Sequence, residues 1–139
     1  MTVLLVEDDL IVRLTLADFF EEARLNFLEV GNAEDALAII GNPSHSIDVL
    51  VTDLDLGAGD NGLVLASKAR QVRPGLTVIY QTGSPEMFAG HSFLPGERVY
   101  YKPFDPRALA ATVALLGEKR PATRRRQRLA ARRTLASNL

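Results

Sequence analysis

The sequence predicts a doubly wound α/β fold built on a parallel sheet of five strands, and three observations carry that expectation. Five short apolar runs alternate with segments of helical spacing, the pattern of repeated strand–helix–strand crossovers. The run Ile47–Asp53 is nearly all apolar, as a central parallel strand covered on both faces requires. With 139 residues, 47% hydrophobic and 24% charged, the chain has the size and composition of one globular domain.

The elements follow in order. The first strand covers about Thr2–Val6. Asp9 is placed to cap a helix through about Arg24, with Ile11, Leu14, Phe19 and Ala23 expected to face inward. Phe27–Val30 reads as the second strand. Gly31-Asn32 then makes a turn, and Asn32 caps a helix over Ala33–Ile40 that Gly41-Asn42-Pro43 stops. After the strand Ile47–Asp53, the loop Leu54–Asn61 holds two glycines and two aspartates. A third helix runs through about Val72 to the stop Arg73-Pro74-Gly75. The fourth strand is Thr77–Gln81, a short fourth helix lies near Pro85–His91, and the fifth strand is Val99–Tyr101. Tyr100 and Tyr101 alternate across that strand, one toward the core and one toward the surface. Asp105-Pro106 supplies the cap and first residue of a fifth helix through about Leu116.

Composition removes several classes of function. No apolar run approaches the roughly 18 residues that span a bilayer, so no membrane role is expected. The start, Met1 to Glu7, lacks a basic flank and is not read as a signal peptide. The absence of cysteine excludes disulfides, thiol catalysis and thiolate metal sites, and is compatible with a cytoplasmic location. His45 and His91 are the only imidazoles; both are expected at the surface, and zinc is not expected. Charge is divided unevenly. Residues 1–117 carry 8 Lys and Arg against 16 Asp and Glu, a net of −8, whereas residues 118–139 carry 8 against 1, a net of +7. The expectation is a domain over 1–117 followed by a basic tail over 118–139, helical or disordered. Its alternatives are an electrostatic contact with nucleic acid or an acidic protein, or docking on the acidic body itself. No aromatic interleaves the arginines, so nucleic-acid binding by base stacking is not expected.

The chemistry lies where the strands end. Glu7-Asp8-Asp9, Asp53, Thr82 and Lys102-Pro103 each follow an apolar run at its carboxyl end, where an open parallel sheet forms its ligand crevice. Two carboxylates about 4 Å apart repel by roughly 4 kcal/mol at an effective dielectric near 20, so Glu7, Asp8 and Asp53 together call for a cation or a proton. Oxygen-only ligands favour a hard ion such as Mg²⁺. A lysine and a hydroxyl beside an exposed carboxylate make a phosphoryl-transfer site with Asp53 as nucleophile. Asp9 is then left as the helix cap.

Val6-Glu7-Asp8-Asp9, Val51-Thr52-Asp53-Leu54-Asp55-Leu56, Thr82-Gly83 and Lys102-Pro103-Phe104 together resemble the receiver domain of two-component response regulators, over about residues 2–117. The resemblance implies a flavodoxin-like sheet of order 2-1-3-4-5 and a stand-alone, chemotaxis-regulator-like protein. It implies Asp53 as phosphoacceptor from a sensor histidine kinase or phosphotransfer protein. It further implies Mg²⁺ held by Asp8, Asp53 and the backbone carbonyl of Asp55, with Glu7 acting through water. Thr82 and Lys102 would meet the phosphoryl oxygens, and Asp55 and Ser84 hold positions that tune phosphoryl lifetime. The surface of the fourth helix, fifth strand and fifth helix would respond to the added charge and could support a homodimer. Such a protein is not an enzyme beyond its own phosphorylation and dephosphorylation. Two departures stand out. The position three before the lysine, aromatic or His in the family, is Val99, and the loop after Asp53 lacks the common proline near Gly57.

Two other readings compete. Asp53-Leu54-Asp55 also resembles the Asp-x-Asp of haloacid-dehalogenase-type phosphatases, although that motif follows the first strand. A receiver fold acting without phosphorylation, or binding nucleic acid through its basic tail, is the third.

Overall fold

A computed structural model describes residues 1–118. The basic tail expected from residue 118 onward therefore lies, from residue 119, outside the described residues. The elements are β1 (Thr2–Val6), α1 (Leu10–Glu22), β2 (Asn26–Val30), α2 (Ala33–Ile40), β3 (Val49–Asp53), α3 (Gly62–Val72), β4 (Thr77–Thr82), β5 (Arg98–Tyr101) and α4 (Pro106–Glu118). The five strands form one parallel sheet of order β2-β1-β3-β4-β5, as expected. All of β3 is buried, which its continuous apolar sequence requires.

Strand alternation divides the core into two layers. Leu4, Val6, Leu50, Val78 and Tyr80 pack with α2 and α3 on one face, while Val3, Leu5, Val49, Val51 and Ile79 pack with α1 and α4 on the other. The caps are those the sequence specifies. Asp9 Oδ1 accepts from Ile11 N at 2.9 Å and Val12 N at 3.1 Å, Asn32 Oδ1 accepts from Asp35 N at 2.8 Å, and Asp105 Oδ1 accepts from Arg107 N at 2.9 Å.

Three expectations are corrected. The inward face of α1 is Leu16, Ala17 and Phe20, with Ile11, Leu14 and Ala23 exposed and Phe19 half-buried. Apolar residues surround the first two turns of this helix, so its sequence does not fix its rotation. The fourth helix is a single 3₁₀ turn, Pro85–Phe88, leaving four α-helices among the described residues. Gly90, at φ +79°, and Pro95 interrupt the segment beyond it, where no α-helix can propagate. His91 is not an ordinary surface residue. Its ring meets Tyr80, Phe88 and Phe93 at centroid distances of 5.9, 5.8 and 4.7 Å, and its Nε2 lies 3.4 Å from Glu97. Tyr100 and Tyr101 divide as expected: Tyr100 packs toward α4, where its hydroxyl meets Thr112, and Tyr101 is exposed.

Candidate phosphoacceptor site

The carboxyl ends of β1, β3, β4 and β5 bound an open cleft of about 330 Å³ lined by Glu7, Asp8, Asp9, Val12, Asp53, Asp55, Gly83, Ser84 and Lys102. Register explains the convergence. Val6 pairs with Thr52 and Asp53 with Gln81, so Glu7, Asp53 and Gln81 stand in one row on the face shared with α1 and α4. Lys102 lies two residues beyond Tyr100 on that face, and its N–H extends the ladder by donating to Thr82 O at 2.8 Å. Its bond to Pro103 is cis.

Lys102 Nζ bridges two carboxylates, donating to Asp53 Oδ2 and to Glu7 Oε1 at 2.9 Å each. Asp53 Oδ1 accepts from Asp55 N at 3.2 Å, so both Asp53 oxygens are held. Glu7 is fully buried; its Oε2 accepts from Asp9 N and its Oε1 also accepts from Gln81 Nε2, both at 3.3 Å. Burial pushes the Glu7 carboxyl above the usual range against the opposing Lys102 bond, and the Asp53 charge pushes the same way. Burial alone would lower the Lys102 ammonium, but its bonds to Asp53 and Glu7 outweigh burial and hold it above its ordinary value.

One carboxylate oxygen each from Glu7, Asp8 and Asp53 fall within 4.8 Å of one another. At that spacing two unit charges repel by roughly 3 kcal/mol at an effective dielectric near 20, and Lys102 supplies the only ammonium among the cleft-lining residues. Three oxygen donors without a sulfur or imidazole fit a hard divalent cation such as Mg²⁺. The loop after β3 is shaped to leave this end open. A Cβ on Gly62 would sit 2.1 Å from Asp53 O, so only glycine lets α3 start against the β3 terminus, and Gly57 turns with φ +74° beside Asp8. The Asp55 side chain is turned into its own loop, accepting from Gly57 N at 3.1 Å.

Of the expected residues, Glu7, Asp8, Asp53, Asp55 and Lys102 line this cleft, whereas Thr82 does not. Thr82 is fully buried behind the cleft wall, and its Oγ1 accepts from Ser84 N at 2.9 Å. Sequence reasoning passed over Gln81, whose amide reaches Glu7 from 74 residues away. The sequence shows it only as a polar residue after the apolar run Val78–Tyr80; that it stands directly across from Asp53 emerges from the sheet register.

The sequence matches the response regulator receiver domain over residues 3–114. The chain belongs to this family. Solved receiver structures superpose on it. A receiver protein from Sinorhizobium medicae is 24% identical with TM-score 0.73, covering 83% of this chain and 94% of that one. The regulator TrrA from Thermotoga maritima, solved in complex with Mg²⁺ and BeF, is 23% identical with TM-score 0.72, covering 83% and 97%. The receiver domain of the hybrid histidine kinase CckA is 28% identical with TM-score 0.68, covering 81% and 95%. Comparison with curated proteins returned no match. The receiver match takes in Asp53-Leu54-Asp55, the dipeptide-spaced acids that alone also suggested a phosphatase. No helix among the described residues is long and apolar enough to cross a membrane.

Proposed function

We propose that this receiver accepts a phosphoryl group on Asp53 from a phosphohistidine of a sensor kinase or phosphotransfer protein and signals by altered partner binding or phosphorelay. The observation that carries the reading is Lys102 Nζ bridging Asp53 and Glu7 at 2.9 Å beside Asp8. An Asp53 oxygen forms the bond to phosphorus as the P–N bond breaks, its electron pair returning to the imidazole nitrogen. Asp8, Asp53 and the Asp55 carbonyl would hold Mg²⁺, with Glu7 acting through water; the ion supplies positive charge for the phosphoryl oxygens. Lys102 turns to one of those oxygens as a mobile point charge. Thr82 accepts from Ser84 N, which leaves its hydroxyl proton to be donated to another once the side chain turns from behind the cleft wall.

Leu10, Ile11 and Leu14 expose 56%, 76% and 48% of their surface on α1, whose first turn borders the cleft through Val12. An apolar patch beside the acceptor suits the protein that delivers the phosphoryl group. On the other side of the cleft, the 3₁₀ turn Pro85–Phe88, β5 and α4 form the responding surface, where Tyr101 is available to a target or a second copy. The reading makes the chain a cytoplasmic signalling receiver, not an enzyme acting on other substrates. Incubation with Mg²⁺ and acetyl phosphate should add one phosphoryl mass to the wild type and none to Asp53→Asn. Unmodified wild-type protein under both small-molecule and phosphohistidine donors would refute it.

A further inference from the structure

Gln81 is completely buried, yet it is polar, and its Oε1 has no hydrogen-bond partner among the described residues. A leucine or methionine there would avoid the cost of an unpaired acceptor. What the amide contributes is on its other side: Nε2 donates to Glu7 Oε1, the same oxygen that Lys102 Nζ holds. The reverse amide orientation would set two oxygens against each other, so the nitrogen faces Glu7.

The shared oxygen matters because Lys102 has two duties. It neutralises the buried Glu7, and it must turn toward the phosphoryl group that forms on Asp53. Leaving that Glu7 oxygen without a donor in a fully buried position opposes that movement. We propose that Gln81 is a positioning residue: its amide keeps hold of Glu7 so that Lys102 can release it and serve the phosphoryl group. The inference rests on the reading of Asp53 as phosphoacceptor. Gln81 touches neither Asp53 nor Lys102 by any hydrogen bond, and acts only through Glu7.

Gln81→Met keeps the volume and removes the donor. Its phosphorylation rate at saturating acetyl phosphate should fall about tenfold or more, the size of one hydrogen bond to a charged group, with the half-saturating donor concentration unchanged. In a Lys102→Met background the same substitution should add less than about a twofold further loss, because there is no lysine left to release. A wild-type rate in Gln81→Met, or equal fold-losses in both backgrounds, overturns the proposal. A second measurement needs neither phosphorylation nor the folding of Gln81→Met. In Lys102→Met, the Gln81 side-chain amide proton should keep the downfield NMR shift of a carboxylate-bound donor that it shows in the wild type. A shift at the free-glutamine value in either protein overturns the proposal. If the wild type takes no phosphoryl group, the proposed function fails while the amide shift still decides the hold of Gln81 on Glu7.

Discussion

Tyr80 on β4 stands directly across from Val99 on β5 in the sheet register. Val99 is the position at which the family resemblance calls for an aromatic switch residue. The large ring is instead on the neighbouring strand, fully buried, two residues before Thr82 on the same face. It packs edge-on to Phe88 at 5.5 Å and His91 at 5.9 Å, so the 3₁₀ turn following Thr82 rests on it.

Tyr80→Ala should therefore cost about 3–5 kcal/mol in urea unfolding, the usual cost of emptying a buried aromatic site. Tyr80→Phe should cost far less, about 1 kcal/mol, since the ring stays in place and only the hydroxyl's interaction with Glu97 is lost. Burial, with the adjacent Glu97 acting in the same direction, holds the phenol far above its ordinary value. No phenolate signal from Tyr80 should appear in an alkaline absorbance titration before unfolding.

Glu97 ties this aromatic cluster to α3. Its carboxylate lies 3.3 Å from Arg70 Nη1 and 3.4 Å from His91 Nε2, and it accepts from Leu94 N at 2.6 Å. Burial raises the carboxyl, but the Leu94, Tyr80, Arg70 and His91 interactions together hold it below its ordinary value of 4.5. A depressed carboxyl stabilises above its unfolded value and loses that contribution as pH falls through the folded one. Glu97→Gln should cost about 1–3 kcal/mol near neutral pH, and the gap from wild type should close only below the ordinary value. Parallel urea curves over a pH series check this; a gap that grows on acidification would contradict the sign.

Glu7 has the opposite sign. Its carboxyl is raised chiefly by burial, so the metal-free fold loses stability as pH rises past the ordinary value of 4.5 and the group ionises. Glu7→Gln should stabilise the metal-free protein near neutral pH by on the order of 1 kcal/mol. Mg²⁺ should raise the melting temperature of the wild type, and much less that of Asp8→Asn. Differential scanning calorimetry with and without Mg²⁺ reads both effects.

Gly62→Ala tests the packing of the loop behind the acceptor. The added methyl would meet Asp53 O at 2.1 Å and Leu54 Cα at 3.0 Å, both backbone atoms that cannot swing away. A loss at or beyond the upper end of the usual overpacking range, about 3 kcal/mol, is expected. Retained stability would mean that α3 can shift from the end of β3.

The sheet and the acidic cleft were legible because apolar runs and their polar ends lie in the chain order itself: Ile47–Asp53 shows a buried strand, and Asp53 and Lys102 sit where strands stop. The rotation of α1 was not legible, since Leu10, Ile11, Val12, Leu14 and Leu16 offer more apolar residues than one face can bury. Nor was the environment of His91, which depends on Tyr80 of β4 and Glu97 just before β5 both reaching its ring. Gln81 was hidden for a related reason: its partner Glu7 is two strands away, and only register joins them.

The most direct test of the bridged Asp53–Lys102–Glu7 site is transfer of labelled phosphate from a phosphohistidine protein, with and without EDTA. The wild type should take the label only with Mg²⁺ and Asp53→Asn not at all, with Lys102→Met strongly impaired. Label that reaches Asp53→Asn, or reaches the wild type equally well in EDTA, would contradict the account.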